Sequence, residues 1–399
     1  PHYGGYSIAN LPATVAGLLG RVLPGAERPL PDHAWADLAS GVRNVVVVIL
    51  DAVGYTHFRR LLDEEDTVCS QMARQGTFVP LTSVFPSTTM AAMSSLWTGR
   101  TPADHGFLGR RLFLPELGVL ADMIRLTLAS NGQPGALLAL GWNPEKFLPV
   151  ADLAQRLEEQ GVSTLAHLYA PFAGGGLARL FLRNVSKVVG YVGHSDMWAN
   201  LRESLAQQLE QPQFVNVYWS ATDDVAHTYG PDDERCQTAL RQIARSFDEV
   251  FWASLPDAAR RGTVFIVTSD HGQVETPPER AVHLADHPDL QQMLHLPPAA
   301  EPRASWLYVR RGRTESVRAY VDEHLADRFL LLDSDRAIAA GLFGRRDLPE
   351  ESRVRLGDML LLARTDSRLV PEGKSAGDRG EHGSLKPEEM LVPLLMARL

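Results

Sequence analysis

The chain predicts an α/β fold, a mostly parallel sheet with helices on both faces, plus a small α/β cap insertion late in the sequence. Three observations carry that prediction. Apolar runs rich in Val, Ile and Leu alternate with helical patterns, as in successive βαβ units. The first and last runs are almost continuously aliphatic, which suits strands buried on both faces. Three runs also end in acidic or acid–imidazole residues, and ligands of open parallel sheets gather outside the carboxyl ends of strands.

Taken in order, the first strand spans Val45 to Leu50 and runs into Asp51. A helical pattern from Tyr55 to Arg74 precedes a strand from Val79 to Phe85, and a helix from Thr88 to Trp97 follows. Further helices are expected at Leu117 to Ala129 and Val150 to Gln160, then a strand at Val162 to Tyr169. The run Ala173-Gly174-Gly175-Gly176 lacks the Lys-Ser/Thr of a phosphate-binding loop and reads as a turn before a helix at Leu177 to Leu182. A helix from Ser195 to Leu209 leads to the strand Phe214 to Ser220, beyond which stand Asp223 and, four residues on, His227. A helix from Asp232 to Ala253 then feeds the strand Val264 to Ser269, which delivers Asp270 and His271. Gly272 behind them permits a sharp turn.

The texture changes beyond Pro277. Ala285 to Pro302 is rich in Pro, His and Ala, and short strands at Ser305 to Val309 and Arg328 to Leu332 mix with helices at Glu315 to Leu325 and Asp335 to Leu342. The expected organisation is therefore a core at 1–286, a cap at 287–355 and a return to the core at 356–399. Gly357 to Arg364 and Met390 to Leu399 are expected to rejoin the main sheet.

Bulk properties narrow the function. A chain of 399 residues with 45% hydrophobic and 22% charged residues is ordinary for a globular protein. Its formal net charge of −9 argues against a nucleic-acid polymer or a membrane surface as partner. Two cysteines, Cys69 and Cys236, supply neither a disulfide framework nor a thiolate zinc site. No apolar run approaches the roughly 18 to 20 residues of a membrane span, and the start lacks a secretory pattern, so a cytoplasmic location is expected, with a processed secreted form as the alternative.

Asp51, Asp223, His227, Asp270 and His271 form an oxygen and nitrogen donor set, to which Glu381-His382-Gly383 adds His382. Carboxylate and imidazole without thiolate suit Zn²⁺, or Mn²⁺ where oxygen dominates. Six donors exceed one tetrahedral ion and fit two, the arrangement that clamps a phosphoryl group. The segment Phe85-Pro86-Ser87-Thr88-Thr89 opens an apolar helix, where free N–H groups favour an anion and a hydroxyl could act as nucleophile. Hydroxyl residues there are equally what helix capping selects.

These motifs together resemble the alkaline phosphatase superfamily and, within it, the type I phosphodiesterase / nucleotide pyrophosphatase family. The matching stretches are Asp51 at the first strand end, Phe85 to Thr89 as a nucleophile turn and Thr98-Gly99-Arg100-Thr101-Pro102-Ala103-Asp104-His105-Gly106. Asp223 to Pro231 and Ser269 to Gly272 complete the set. The resemblance implies an alkaline-phosphatase-like fold and Thr89 as the catalytic residue, forming a covalent phosphothreonine. It implies one zinc held by Asp223, His227 and His382, and another held by Asp51, Asp270, His271 and Thr89. The substrate would be a small-molecule phosphate ester, with a nucleotide among the candidates. The sequence departs from the family where many members place an Asn after His-Gly. Here the stretch reads Phe107-Leu108-Gly109-Arg110-Arg111, and Arg110 is the candidate substrate-binding cation. A cationic clamp keeps phosphomonoesters and phosphonates open as substrates. A non-catalytic metal-binding scaffold is the reading from another class, and a sulfatase is disfavoured because the turn lacks Cys/Ser-x-Pro-x-Arg.

Overall fold

The strand Asn44–Leu50 lies at the middle of a seven-stranded sheet. Across the sheet the order is Thr77–Thr82, Leu391–Arg398, Thr263–Thr268, Asn44–Leu50, Gln213–Trp219, Ser163–Tyr169 and Lys187–Tyr191. The computed structural model describes residues 1–133, 135–148, 150–207, 210–371 and 377–399. The central pairings are parallel; Leu391–Arg398 runs antiparallel to both its neighbours. This is the expected mostly parallel sheet.

Side-chain alternation along the first strand explains why it is buried on both faces. Val45, Val47 and Ile49 pack with Val15, Met90 and Leu96 on one face, while Val46, Val48 and Leu50 pack with Phe58, Trp198 and Leu240 on the other. Each such aliphatic side chain contributes about 1.5–3 kcal/mol on full burial, so a polar residue at any of them is costly.

Several elements differ from expectation, for identifiable reasons. Tyr55 to Arg74 is two helices, Tyr55–Glu64 and Val68–Gln75, because Thr67 starts the second with a reciprocal bond pair to Ser70. The strand expected to reach Phe85 stops at Thr82, and the expected helix from Ser195 spans His194–Ala206, with residues 208 and 209 outside the described residues. The helix expected at Leu117 to Ala129 is instead strands Val119–Asp122 and Thr127–Leu128. Its apolar spacing suits a helix, but Gly118 turns the chain at φ +66° and Val119–Asp122 pairs back onto Arg111–Leu114. Tertiary pairing overrode local propensity.

Those strands belong to a second seven-stranded sheet. Its order is Phe329–Asp333, Met359–Ala363, Ala304–Val309, Leu294–Glu301, Arg111–Leu114, Val119–Asp122 and Thr127–Leu128. The segment 287–355 supplies three of the seven. Met359–Ala363 pairs inside this second sheet rather than with the main one, whereas Leu391–Arg398 does join the main sheet. A fully buried ion pair connects Arg303, in the turn between Leu294–Glu301 and Ala304–Val309, to the approach of Leu391–Arg398. Arg303 donates to both Glu389 carboxylate oxygens at 3.0 Å, and Glu389 also accepts the backbone N–H of Ser384 at 2.9 Å. The loop bearing His382 is thereby clamped between the two sheets. Among the described residues, no helix is long and apolar enough to cross a membrane.

Candidate active site

Parallel register brings the three acid-bearing strand ends together. Leu50 lies opposite Trp219 and Ile49 opposite Thr268, so Asp51, Asp270 with His271, and the helix Ala221–Tyr229 all leave the same edge. Asp51 is tied in by its backbone N–H to Trp219 O at 2.8 Å. One helical turn sets Asp223 and His227 side by side, with His227 Nε2 3.4 Å from Asp223 Oδ2. His382 arrives from the far end of the chain beside the short strand Gly380–Glu381, which pairs with Val274–Glu275 directly after the Asp270 turn. Gly272 permits that turn to sit close: a Cβ there would lie 2.1 Å from Glu388 O.

All six candidate ligands and Thr89 converge. Asp51, Asp270 and His271 each bring a donor atom within 4.8 Å of the others, and so do Asp223, His271 and His382. His271 Nε2 is 3.6 Å from Asp51, 3.4 Å from Asp270 and 3.2 Å from Thr89 Oγ1. The rings of His271 and His382 stack with centroids 3.9 Å apart, and that of His227 lies 5.2 Å from His382.

The three imidazoles share one orientation. Each Nδ1 faces a backbone carbonyl, Gly272 O at 3.0 Å for His271, Gly380 O at 2.7 Å for His227 and Ser87 O at 2.9 Å for His382. A carbonyl only accepts, so each Nδ1 carries a proton and each Nε2 is the atom left to meet a ligand; those of His227 and His271 face carboxylates at 3.4 to 3.6 Å. Metal-binding histidines are oriented in this way. The carboxylates complement them: Asp51 Oδ1 and Asp270 Oδ2 are buried and without a hydrogen-bond partner. Two such anionic oxygens are expensive to bury unless a cation faces them.

The electrostatics agree. Burial, followed by the charges of Asp270 and Asp223, raises the Asp51 carboxyl well above its usual value. Burial alone would lower His227, but the adjoining Asp223 carboxylate outweighs it and holds the imidazole up at about 10. Burial pushes Asp223 up, and His227 overcomes that to hold it well below the carboxylate range. Burial and the neighbouring His271 keep His382 neutral. The cluster thus relieves its own negative charge by protonation and pairing, the work a bound cation would do.

The three hydroxyls at the helix start separate cleanly. Ser87 Oγ donates to Ser384 O at 2.9 Å and accepts the Gly383 N–H at 3.1 Å, so it is consumed in holding the His382 loop. Thr88 is the N-cap residue but makes no side-chain cap bond; its hydroxyl bonds Glu301. Thr89, the first residue of the helix Thr89–Thr98, alone of the three directs its hydroxyl into the cluster.

Arg110 lies at the wall of a cleft of about 370 Å³ that also exposes His227 and His382. Its Nε is paired with Asp122 at 3.0 Å and its backbone N–H with Glu301 at 2.6 Å. Sequence reasoning missed the residues that orient the ligands. Tyr218 donates its hydroxyl to Asp51 Oδ2, and Gln273 donates to Asp223 Oδ1 at 2.5 Å. Tyr218 sits one residue before the end of its strand and Gln273 two after His271, a closeness that was visible but carried no chemistry by itself.

His105, in the His-Gly of the motif, lies apart from the donor cluster. It accepts the Phe107 N–H at Nδ1 (3.1 Å) and so donates from Nε2 to Ser95 at 3.0 Å. Burial drives its pKa down from 6.5 to about 3. A depressed imidazole binds a proton in the unfolded chain first, so stability falls as pH drops below about 6.5 and is unaffected above it. At about 1.4 kcal/mol per unit this amounts to roughly 3 kcal/mol between pH 6.5 and pH 4. Urea denaturation across that range is expected to show a shallower acid limb for His105→Gln; equal slopes for variant and parent would contradict it.

Comparison with known proteins is consistent with this geometry. A family model described as type I phosphodiesterase / nucleotide pyrophosphatase matches residues 45–385. Among curated proteins, no sequence matches. Human ectonucleotide pyrophosphatase / phosphodiesterase 5 is similar in structure, with a TM-score of 0.66 at 17% identity, covering 88% of this chain and 87% of that one. The murine protein gives 0.63 at 17% identity over 88% and 87% of the two chains. Phosphonoacetate hydrolase from Sinorhizobium meliloti 1021, in complex with phosphonoformate, gives 0.64 at 17% identity over 88% and 89%.

Proposed function

Because the chain belongs to the type I phosphodiesterase / nucleotide pyrophosphatase family, we propose that it hydrolyses phosphodiester or pyrophosphate bonds of a small molecule, with Thr89 as nucleophile. A nucleotide is among the candidate substrates. The observation that supports this most is the placing of His271 Nε2 3.6 Å from Asp51 Oδ1, 3.4 Å from Asp270 Oδ2 and 3.2 Å from the Thr89 hydroxyl, the two carboxylate oxygens being buried and unpartnered.

The donor set fits two divalent ions, zinc first and manganese as the alternative. Asp51, Asp270, His271 and Thr89 would hold one, and Asp223, His227 and His382 the other. When bound, such ions offset negative charge on the phosphoryl and leaving oxygens. The chain supplies the rest. Thr89 Oγ forms the new bond to phosphorus as the bond to the leaving oxygen breaks, giving a phosphothreonine that water then hydrolyses. Its place at a helix N-terminus directs free N–H groups toward the phosphoryl oxygens. Tyr218 and Gln273 hold Asp51 and Asp223 in position.

A second reading, hydrolysis of phosphomonoesters or phosphonates, is favoured by the fixed guanidinium of Arg110 at the cleft wall. Rates on bis(p-nitrophenyl) phosphate and p-nitrophenyl phosphate separate the two. Diester turnover that a chelator abolishes and added zinc or manganese restores is the expected result. Chelator-insensitive turnover, or none on either ester, would overturn the metal-dependent reading.

A further inference from the structure

Of the three arginines lining the cleft beside His227 and His382, two are committed to partners. Arg110 is bound by Asp122 at 3.0 Å. Arg368 bonds Thr276 at 3.1 Å and stands 3.7 Å from Glu381. Glu301 accepts the Arg110 backbone N–H. Arg111 is different. It lines the same cleft, yet among the described residues its guanidinium makes no hydrogen bond and has no carboxylate within ion-pair distance. Its backbone is not loose: it lies opposite Asp122 on one side and Ala300 on the other in an antiparallel ladder. The strand therefore presents a half-buried, uncommitted cation from a fixed base.

We propose that Arg111 is a specificity-determining residue that binds a second anionic group, carboxylate or phosphate, carried by the leaving portion of the substrate. This rests on the hydrolase reading above. In that reading the phosphoryl group sits at Thr89, and the leaving oxygen faces His227 and His382. His227, His382 and Arg111 line one cleft, so a leaving portion directed past the two histidines enters the space that Arg111 also lines. Asp224, Asp378 and Glu381 also line this space, and their carboxylates disfavour an anion beside them. Arg111 is where an anion is matched, and a guanidinium pairs with carboxylate or phosphate through two parallel hydrogen bonds.

The test uses matched diesters whose leaving phenols differ in one substituent: methyl 4-carbamoylphenyl phosphate, methyl 4-carboxyphenyl phosphate and methyl 4-phosphonophenyl phosphate. Comparing each substrate between wild type and variant cancels intrinsic reactivity. Arg111→Gln is expected to lower kcat/KM on the anionic esters by about 10- to 100-fold, the scale of a lost charge-assisted contact, and to leave the carbamoyl ester unchanged. Arg111→Lys should recover part of the loss, and the wild-type preference should shrink as salt is raised. The carboxyl and phosphono arms show which anion is preferred. Equal effects on all three esters, or none, would overturn the assignment of Arg111. Wild type inactive on all three would instead count against the hydrolase reading itself.

Discussion

Thr89→Ala is expected to lower kcat on an aryl phosphodiester by at least about 10³-fold while the protein keeps its fold and most of any bound metal. Removing a nucleophile deletes the covalent route, and losses of this order or larger follow where the attacking group cannot be replaced. The hydroxyl contacts favour one of the three adjacent residues for the proposed role. Ser87 is saturated by Ser384 and Gly383, and Thr88 is turned to Glu301, whereas Thr89 Oγ1 lies 3.2 Å from His271 Nε2. Ser87→Ala should therefore cost stability, since it leaves the buried Gly383 N–H without its acceptor, and keep kcat within about tenfold. Single-turnover rates with metal content measured on the same samples check both. Full turnover by Thr89→Ala, with Ser87→Ala or Thr88→Ala inactive, would move the nucleophile.

The two variants differ because they strike different links of one chain of dependence. Ser87 acts through its backbone carbonyl and hydroxyl on the loop of His382. Glu389, paired with buried Arg303, holds that same loop from the other side. The geometry of the donor cluster thus depends on contacts between the two sheets as well as on the strand ends. Damage at Arg303 or Glu389 should reach the site without touching substrate.

What the sequence made legible was whatever local pattern and polarity determine. Asp51, Asp270 with His271, and Asp223 with His227 each follow an apolar run, and parallel register does bring those ends together. Their convergence was readable because a parallel sheet leaves few other places for them. The second sheet was readable only in part: the strands expected at Ser305 to Val309 and Arg328 to Leu332 are found at Ala304–Val309 and Phe329–Asp333, but its extent was hidden. Leu294–Glu301 contains two prolines and reads as a loop, and Val119–Asp122 has helical spacing, yet both are strands because distant partners pair with them. Met359–Ala363, buried along its length, could have joined either sheet on composition alone. The roles of Tyr218 and Gln273 were hidden for a related reason. A tyrosine within a strand carries no sign of which carboxylate its hydroxyl will meet across the sheet.

Asp51→Asn offers the sharpest test of the proposed metal centre, because it should move stability in opposite directions with and without metal. In metal-free protein, burial and the charges of Asp270 and Asp223 raise the Asp51 carboxyl. The folded state then binds a proton that the unfolded state has released, so stability declines as pH rises from about 4 toward the elevated folded value. Asn has the shape of the protonated acid. Its amide oxygen still accepts the Tyr218 hydroxyl, and its NH₂ can face the His271 Nε2 lone pair 3.6 Å away. With chelator present, Asp51→Asn should therefore melt at or above wild type near neutral pH. With excess zinc the order should reverse. Binding to the native state stabilises by about 2.7 kcal/mol at a hundredfold excess over Kd, which raises the wild-type Tm by a few degrees. Asp51→Asn, lacking one anionic ligand, should respond weakly and lose at least about 10²-fold in activity. A wild-type Tm indifferent to zinc and manganese would remove the cation from the cluster. A variant as responsive as wild type would remove Asp51 from the ligand set while leaving the other donors standing.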